Sequence, residues 1–413
     1  MATMRYKRLV LAVSGLILLY LSLNVLAQSD EAPPPANVIA AVWSPDGSMI
    51  AGGGTDGYLR IWDAINGETI RDFPDLTETL YTLTWTTDSQ RIISGGEGES
   101  LHVWDINSGQ QLAELKWDGR VILAADVKPD GTLLAGISLE GRQNLLIWDL
   151  NTYELITAAD GGSSLDIAWH PFDDLLAVAN PFGGVNLFDS KGKHPDRYIL
   201  VNQDMATVAW SPDGTKLVTG EADLFEPSDV YVWDVASQTR IAKIGEHAAQ
   251  AQTWVTWSPD GQLITSIGGD EWLRIYDTAQ EYREVQTLEK GMMLITDYGF
   301  SPYGGRLVYG APLHDGQGLN DTDSAFSNGA VRVVVPVPSL ARLDYIAPLC
   351  IVSSDSTEAT RLLSPEAMET LTVEILPDFI AQVEALPERA IPAGCATDLI
   401  AVAEAVYSSQ KNN

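Results

Sequence analysis

From residue 38 onward, short apolar runs alternate with clusters of Pro, Asp, Gly, Ser and Thr. The stretch VWSPDGSMIAGGGTDGYLRIWDAINGETI (42–70) shows the pattern plainly. An apolar run ends at Trp43 and Ser-Pro-Asp-Gly breaks it; Ser48–Gly52 and Tyr58–Asp63 follow, then another turn and a short run. Pro fixes φ, Asp bonds its own backbone and Gly accepts positive φ, so each cluster predicts a tight turn. Four short strands joined by tight turns predict one antiparallel sheet.

The unit recurs. WSPDG stands at 43–47, 210–214 and 257–261. The aromatic (or Val) before the turn falls at Trp43, Trp85, Val127, Trp169, Trp210, Trp257 and Phe300, the last in SPYG. A second marker, IWD and its variants, places Trp62, Trp104, Trp148, Phe188, Trp233 and Tyr276 at spacings of 42, 44, 40, 45 and 43 residues. Bulky residues on both faces of LRIW (59–62) fit a sheet sandwiched between neighbours, with the aromatics filling the gap between sheets.

An SPDG-type turn joined to a WD dipeptide resembles the WD-repeat (WD40) family. The resemblance covers 38–345 and implies an all-β, seven-bladed β-propeller around a central channel. The SPDG turns are also similar to those of exported bacterial propellers. The family's Gly-His dipeptide survives only as His247, and the resemblance implies a structural network of His247, Ser266 and Asp270, with Tyr276 replacing the usual Trp. Val331–Val334 stands where the seventh WD marker is due. There the interval from turn aromatic to marker is 34 residues, against 19 in four blades, so an insertion is expected. Pro33–Pro35 precede the first strand and cannot donate to a ladder, so Leu340–Tyr345 is expected to give blade seven its fourth strand.

After Tyr345 the texture turns helical. Segments 364–386 and 395–407 have helical spacing, Ser364-Pro365-Glu366 is an N-terminal signal, and Leu399, Val402, Ala403 and Val406 form one apolar face. This predicts a short C-terminal α-helical appendage over 346–413. Its two cysteines, Cys350 and Cys395, are the only ones in the chain and are expected to be disulfide-bonded. Such a bridge stabilises by roughly 4 kcal/mol through chain entropy.

At the other end, Arg5, Lys7 and Arg8 precede the apolar run Leu9–Leu26, and Val25-Leu26-Ala27 fits signal cleavage before Gln28. Residues 1–27 are therefore expected to be a signal peptide, with an uncleaved anchor as the only membrane attachment, followed by a Pro-rich linker over 28–37. The expected location is periplasmic, cell-surface or secreted.

The 413 residues carry a net charge of −31. That excludes nucleic acid as a partner and favours a basic protein or a cation. The five histidines form no HExxH, and neither a G-x-S-x-G elbow nor a phosphate loop is present. The expected function is a non-catalytic, monomeric protein-interaction platform without cofactor. The alternative is a propeller enzyme or small-ligand binder with a metal-dependent channel site. For the working surface, two extended links, Glu221–Asp229 and Ala311–Gly329, flank Asp270-Glu271 on the rim opposite the SPDG turns. They gather Glu221, Asp223, Glu226, Asp229, Asp270, Glu271, Asp315, Asp321 and Asp323 as candidate partner-binding residues. The oxygen-rich NDTDS (320–324) leaves calcium open, although its spacing matches no standard loop.

Overall fold

The computed structural model describes residues 38–411 apart from 74–78, 194–197, 201–204, 224–225, 249–250, 290–294, 311–330, 337–342, 351–358, 387–390 and scattered single or paired positions. The expected signal peptide and linker lie outside these residues.

Seven antiparallel blades follow one another along the chain. Blade one is Val38–Trp43, Met49–Gly54, Leu59–Asp63 and Thr69–Phe73 (β1–β4), and blade two Leu80–Trp85, Arg91–Gly96, Ser100–Asp105 and Gln111–Lys116 (β5–β8). Blade three is Ile122–Val127, Leu133–Ser138, Leu145–Asp149 and Leu155–Ala159 (β9–β12). Blade four is Asp166–Trp169, Leu176–Asn180, Gly184–Phe188 and Tyr198–Leu200 (β13–β16). Blade five is Met205–Trp210, Lys216–Asp223, Ser228–Asp234 and Thr239–His247 (β17–β20), and blade six Ala251–Trp257, Leu263–Gly268, Trp272–Asp277 and Arg283–Glu289 (β21–β24). Gly299–Phe300, Leu307–Gly310 and Val331–Val334 (β25–β27) form blade seven among the described residues. A cavity of about 380 Å³ is lined by the leading strands or their approach residues in all seven blades, so these are innermost. The chain is a seven-bladed β-propeller.

Local hydrogen bonds explain both repeat markers. Ser44 Oγ donates to Asp46 Oδ1 at 2.7 Å, the N–H of Ser48 donates to the same oxygen at 3.0 Å, and Gly47 sits at φ 72°. Blades five and six repeat this with Ser211, Thr215 and Asp213, and with Ser258, Gln262 and Asp260. The Asp of each WD marker takes N–H groups of the next turn: Asp63 from Ile65 and Asn66, Asp149 from Asn151 and Thr152. The marker aromatics pack between blades. Trp62 lies with Val308, Val331 and Val333 of blade seven, and Tyr276 with Val218, Val230 and Val232 of blade five. A side chain on Gly52 would strike the Trp62 ring, its Cβ lying 2.6 Å from that ring, so the glycine makes room for the indole. At the matching place in blades two, five and six, Ser94, Thr219 and Ser266 instead hydrogen-bond the aromatic's polar atom.

Two departures from the expected pattern are structural. β18 runs on to Asp223 and pairs with β21 (Ala222 with Gln252, Asp223 with Ala251), fusing blades five and six into one sheet and shortening the expected Glu221–Asp229 link. Leu343, expected in blade seven's fourth strand, is helical and fully buried in a separate C-terminal core. Burial among the residues of that core, rather than pairing at a strand edge, decides its conformation.

That C-terminal core gathers Leu343, Ile346, Leu363, Leu376, Phe379, Leu399, Val402 and Val406 around helices Leu376–Glu384 (α1) and Ala393–Lys411 (α2). Cys350 and Cys395 are disulfide-bonded within it, Cα–Cα 5.5 Å. Within the expected segment 364–386, Ser364 caps a helical turn, its Oγ accepting the N–H of Ala367 at 3.2 Å, and α1 begins at Leu376 with Pro377 in its first turn. Among the described residues no helix is long and apolar enough to cross a membrane.

Candidate functional site

Innermost strands expose N–H groups toward the channel, and each must find an acceptor. Three aspartates supply part of this need. Asp126 Oδ2 accepts the N–H of Trp169 in the next blade at 2.8 Å, and Asp166 Oδ2 accepts that of Val208 at 2.9 Å. Asp297 Oδ2 reaches past blade one to the N–H of Leu83 at 3.4 Å. Elsewhere Thr82 Oγ1 accepts from Ala125, Thr207 Oγ1 donates to the carbonyl of Thr253, and the Tyr298 hydroxyl donates to that of Trp254. Blades seven and one join through Ala41 N–H to the Asp297 carbonyl at 3.1 Å and Thr296 N–H to that of Ile39 at 2.8 Å.

The indoles add a second tier of links. Trp85, Trp169 and Trp210 donate Nε1–H to the carbonyls of Val42, Asp126 and Ala168 in the preceding blade. Among the described residues Trp43 and Trp257 find no acceptor for their indole N–H; Trp43 instead lies under the Arg306 guanidinium, 4.4 Å from the ring centre.

The channel carboxyls are half-buried and line the central cavity. Burial pushes Asp126 up to about 6 and Asp166 up to about 7 despite their backbone hydrogen bonds. Burial, together with the other two carboxyls across the channel, raises Asp297 well above its usual range. The trio therefore carries less than its formal charge near neutrality. Each carboxylate already serves as an acceptor for backbone, and among the described residues no group of three His, Cys, Asp or Glu is placed to hold a metal ion. Sequence reasoning passed these residues over because acids are so abundant. The visible signal was an Asp inside an apolar leading strand, as in ILAADV (122–127).

The expected acidic rim is only partly assembled. His247 Nδ1 lies 2.8 Å from Asp270 Oδ1, His247 Nε2 lies 2.7 Å from Ser266 Oγ, and Ser266 Oγ is 3.1 Å from the Tyr276 hydroxyl. Arg274 also pairs with Asp270 at 3.0 Å. Burial opposes ionisation of Asp270, but the hydrogen bonds and charges of His247 and Arg274 outweigh it and hold the carboxyl well below the usual range. Asp270 is thus engaged between the end of blade five and blade six. Asp229 accepts from the Tyr231 hydroxyl at 2.7 Å and pairs with Lys243 at 2.7 Å, and Glu221 accepts the N–H of Asp229 at 3.0 Å. Asp223 is a strand residue of the blade-five/six junction. Glu226 is exposed, and Glu271, half-buried in the next blade's link, takes a left-handed φ of 68°. Asp315, Asp321 and Asp323, and with them the calcium expectation, lie outside the described residues.

Two family models match parts of the chain. The Anaphase-promoting complex subunit 4 WD40 domain matches residues 21–88, and the WD domain, G-beta repeat, matches 238–277. The repeats are WD40-like. WD repeat-containing protein SL1-17 of Schistosoma mansoni is 28% identical over 159 residues, 38% of this chain and 50% of that protein. Meiotic fizzy-related protein 1 of Schizosaccharomyces pombe is 24% identical over 260 residues, 58% of this chain and 57% of that protein. The U5 small nuclear ribonucleoprotein 40 kDa protein of Homo sapiens is 36% identical over 74 residues, 18% of this chain and 19% of that protein. The chain spans about half the length of the first two and much less of the third. All three are eukaryotic, so the bacterial side of the expected resemblance draws nothing from them.

Proposed function

We propose that the protein is a non-catalytic protein-interaction platform that works in the cell envelope or outside the cell. The observation that carries the platform reading is how the channel is used: its carboxylates, hydroxyls and indoles are spent on links between blades. A ring fixed this way presents its links as a rigid surface. The relative named for a U5 small nuclear ribonucleoprotein supports a role within a larger assembly. The N-terminal apolar run and the single disulfide support export, since such bridges persist in oxidising compartments.

The surface proposed for a basic protein partner is the rim of links at blades five to seven, with Glu226 and Glu271 as its described carboxylates and Asp315, Asp321 and Asp323 following them in sequence order. Capture of partners from the native envelope by the Glu226→Gln/Glu271→Gln/Asp315→Asn/Asp321→Asn/Asp323→Asn protein tests it. Partner recovery should fall about tenfold with the melting temperature unchanged; undiminished recovery rejects this rim.

A further inference from the structure

In the SPDG turns a carboxylate two residues after the Ser takes two donors: the Ser hydroxyl and the N–H four residues beyond that Ser. Thr86 and Gln90 give the same pair to Asp88 in blade two. Blade seven reads Ser301-Pro302-Tyr303-Gly304-Gly305-Arg306, so Tyr stands where the carboxylate belongs. Its backbone still turns as the others do, with Gly304 at φ 78° and the Gly304 N–H on the Ser301 carbonyl at 2.8 Å.

The missing carboxylate comes from the C-terminal helix. Asp398 of α2, fully buried, accepts from the Ser301 hydroxyl and from the Gly305 N–H at 3.0 Å, the same two positions. Its other oxygen accepts from Arg306 Nε at 2.7 Å. Arg306 carries the link across the seam: its Nη1 donates to the Ala64 carbonyl of blade one at 2.7 Å, and its guanidinium covers Trp43. The start of α2 touches blade one directly, since a Cβ on Gly394 would lie 2.8 Å from the backbone of Asp46 and Gly47. Tyr303, displaced from the turn's own hydrogen bonding, packs on the C-terminal core.

We propose that the C-terminal unit is a redox-locked clasp. Asp398 completes blade seven's turn in trans and, through Arg306, ties blade seven to blade one, while the Cys350–Cys395 bridge holds α2 in the unit that presents Asp398. Cys395 lies three residues before Asp398 on the same helix, so the bridge anchors the helical turn that bears the carboxylate. Reduction by a dithiol transfers two electrons to the bridge, leaving two cysteine thiols and one oxidised dithiol. Freed of the bridge, α2 releases Asp398 and the ring loosens at the seam alone.

Hydrogen exchange on the full chain, followed by mass spectrometry, tests this. In Asp398→Asn, exchange should rise at least tenfold in β1 and β25–β27 while β13–β15 of blade four stay unchanged. The same map should appear in the unaltered protein after treatment with dithiothreitol, with thiol counting to establish reduction. The Cys350→Ala/Cys395→Ala protein reports the unbridged state where the buried bridge resists the dithiol. An even rise over all blades, or unchanged seam exchange in the unbridged protein, overturns the proposal. If Asp398→Asn does not fold, the dithiol and double-alanine measurements decide it.

Discussion

Trp169 gives both of its N–H groups to Asp126: the backbone N–H to the carboxylate at 2.8 Å and the indole N–H to the carbonyl at 3.2 Å. One residue of blade three thereby holds the backbone and the side chain of the leading aromatic of blade four. The acceptor is a titratable carboxyl whose ionisation burial disfavours, so its protonation is linked to folding stability.

For the channel trio the pH dependence runs opposite to that of a salt-bridged aspartate. Their folded values lie above the unfolded value of about 4, so the folded state holds protons that the unfolded state has lost. For Asp126 and Asp166 the contribution is most favourable below pH ~4 and is lost as the pH rises through about 6 to 7. Asp166→Asn, which cannot ionise, should flatten the pH 4–8 stability profile by about 1–2 kcal/mol, the partial exposure of Asp166 to the cavity moderating the full effect. Urea unfolding at several pH values measures this, and an unchanged slope would contradict it.

Asp270 behaves the other way. Its depressed value means stability present above the unfolded pKa of about 4 and lost as the pH falls below it. At pH 7, Asp270→Asn should cost about 2–3 kcal/mol by removing the buried negative charge that His247 and Arg274 face. Glu271→Gln, one residue away, should cost under about 0.5 kcal/mol. Equal losses in denaturant midpoint would remove the distinction between a structural and a surface carboxylate here.

The indole links predict a contrast between neighbouring repeats. Trp210 donates to the Ala168 carbonyl at 2.9 Å, whereas Trp257 has no acceptor among the described residues. Both are buried to a similar degree. Trp210→Phe should therefore cost about 1 kcal/mol more than Trp257→Phe, the net worth of one buried hydrogen bond. Paired calorimetric scans measure the difference.

Gly52→Ala places a methyl against the Trp62 ring and should destabilise by about 1–3 kcal/mol through overpacking. Gly141→Ala has open space around its Cβ, although its φ of 101° still strains an L-residue. Its loss should come from backbone strain alone and leave Trp62 fluorescence unaltered, while Gly52→Ala shifts it.

The propeller was legible because its repeats are written in local chemistry. A Ser, an Asp two residues on and a following Gly specify the turn from within the segment, and six of seven blades keep enough of it to show the period. The link of His247 to Ser266 and Asp270 was visible only through the WD-repeat resemblance, which implies that network. What the sequence hid was distant. Nothing local says that Asp398 will meet Ser301, 97 positions away, although Tyr303 in SPYG was a visible sign that the turn lacked its carboxylate. The expectation of a strand through Leu343 failed because a short mixed segment, LARLDY, carries no decisive period, and burial in the C-terminal core chose the helix. Likewise the acidic rim looked uniform in sequence, yet Asp229 and Asp270 are taken up by Lys243 and His247.

The fusion of β18 with β21 limits how this ring can be cut and rebuilt. At most other boundaries between described repeats the links are side-chain bonds or isolated bridges, the seam of blades seven and one, with its bonds at Ala41 and Thr296, being the other place where backbone pairs with backbone. Between the fifth and sixth, a cut would leave the backbone of Ala222 and Asp223 without the partners they find in Gln252 and Ala251. For circular permutation, grafting or the gain of a repeat by duplication, the fifth and sixth repeats therefore travel together as one double module, and new chain ends do not belong between them.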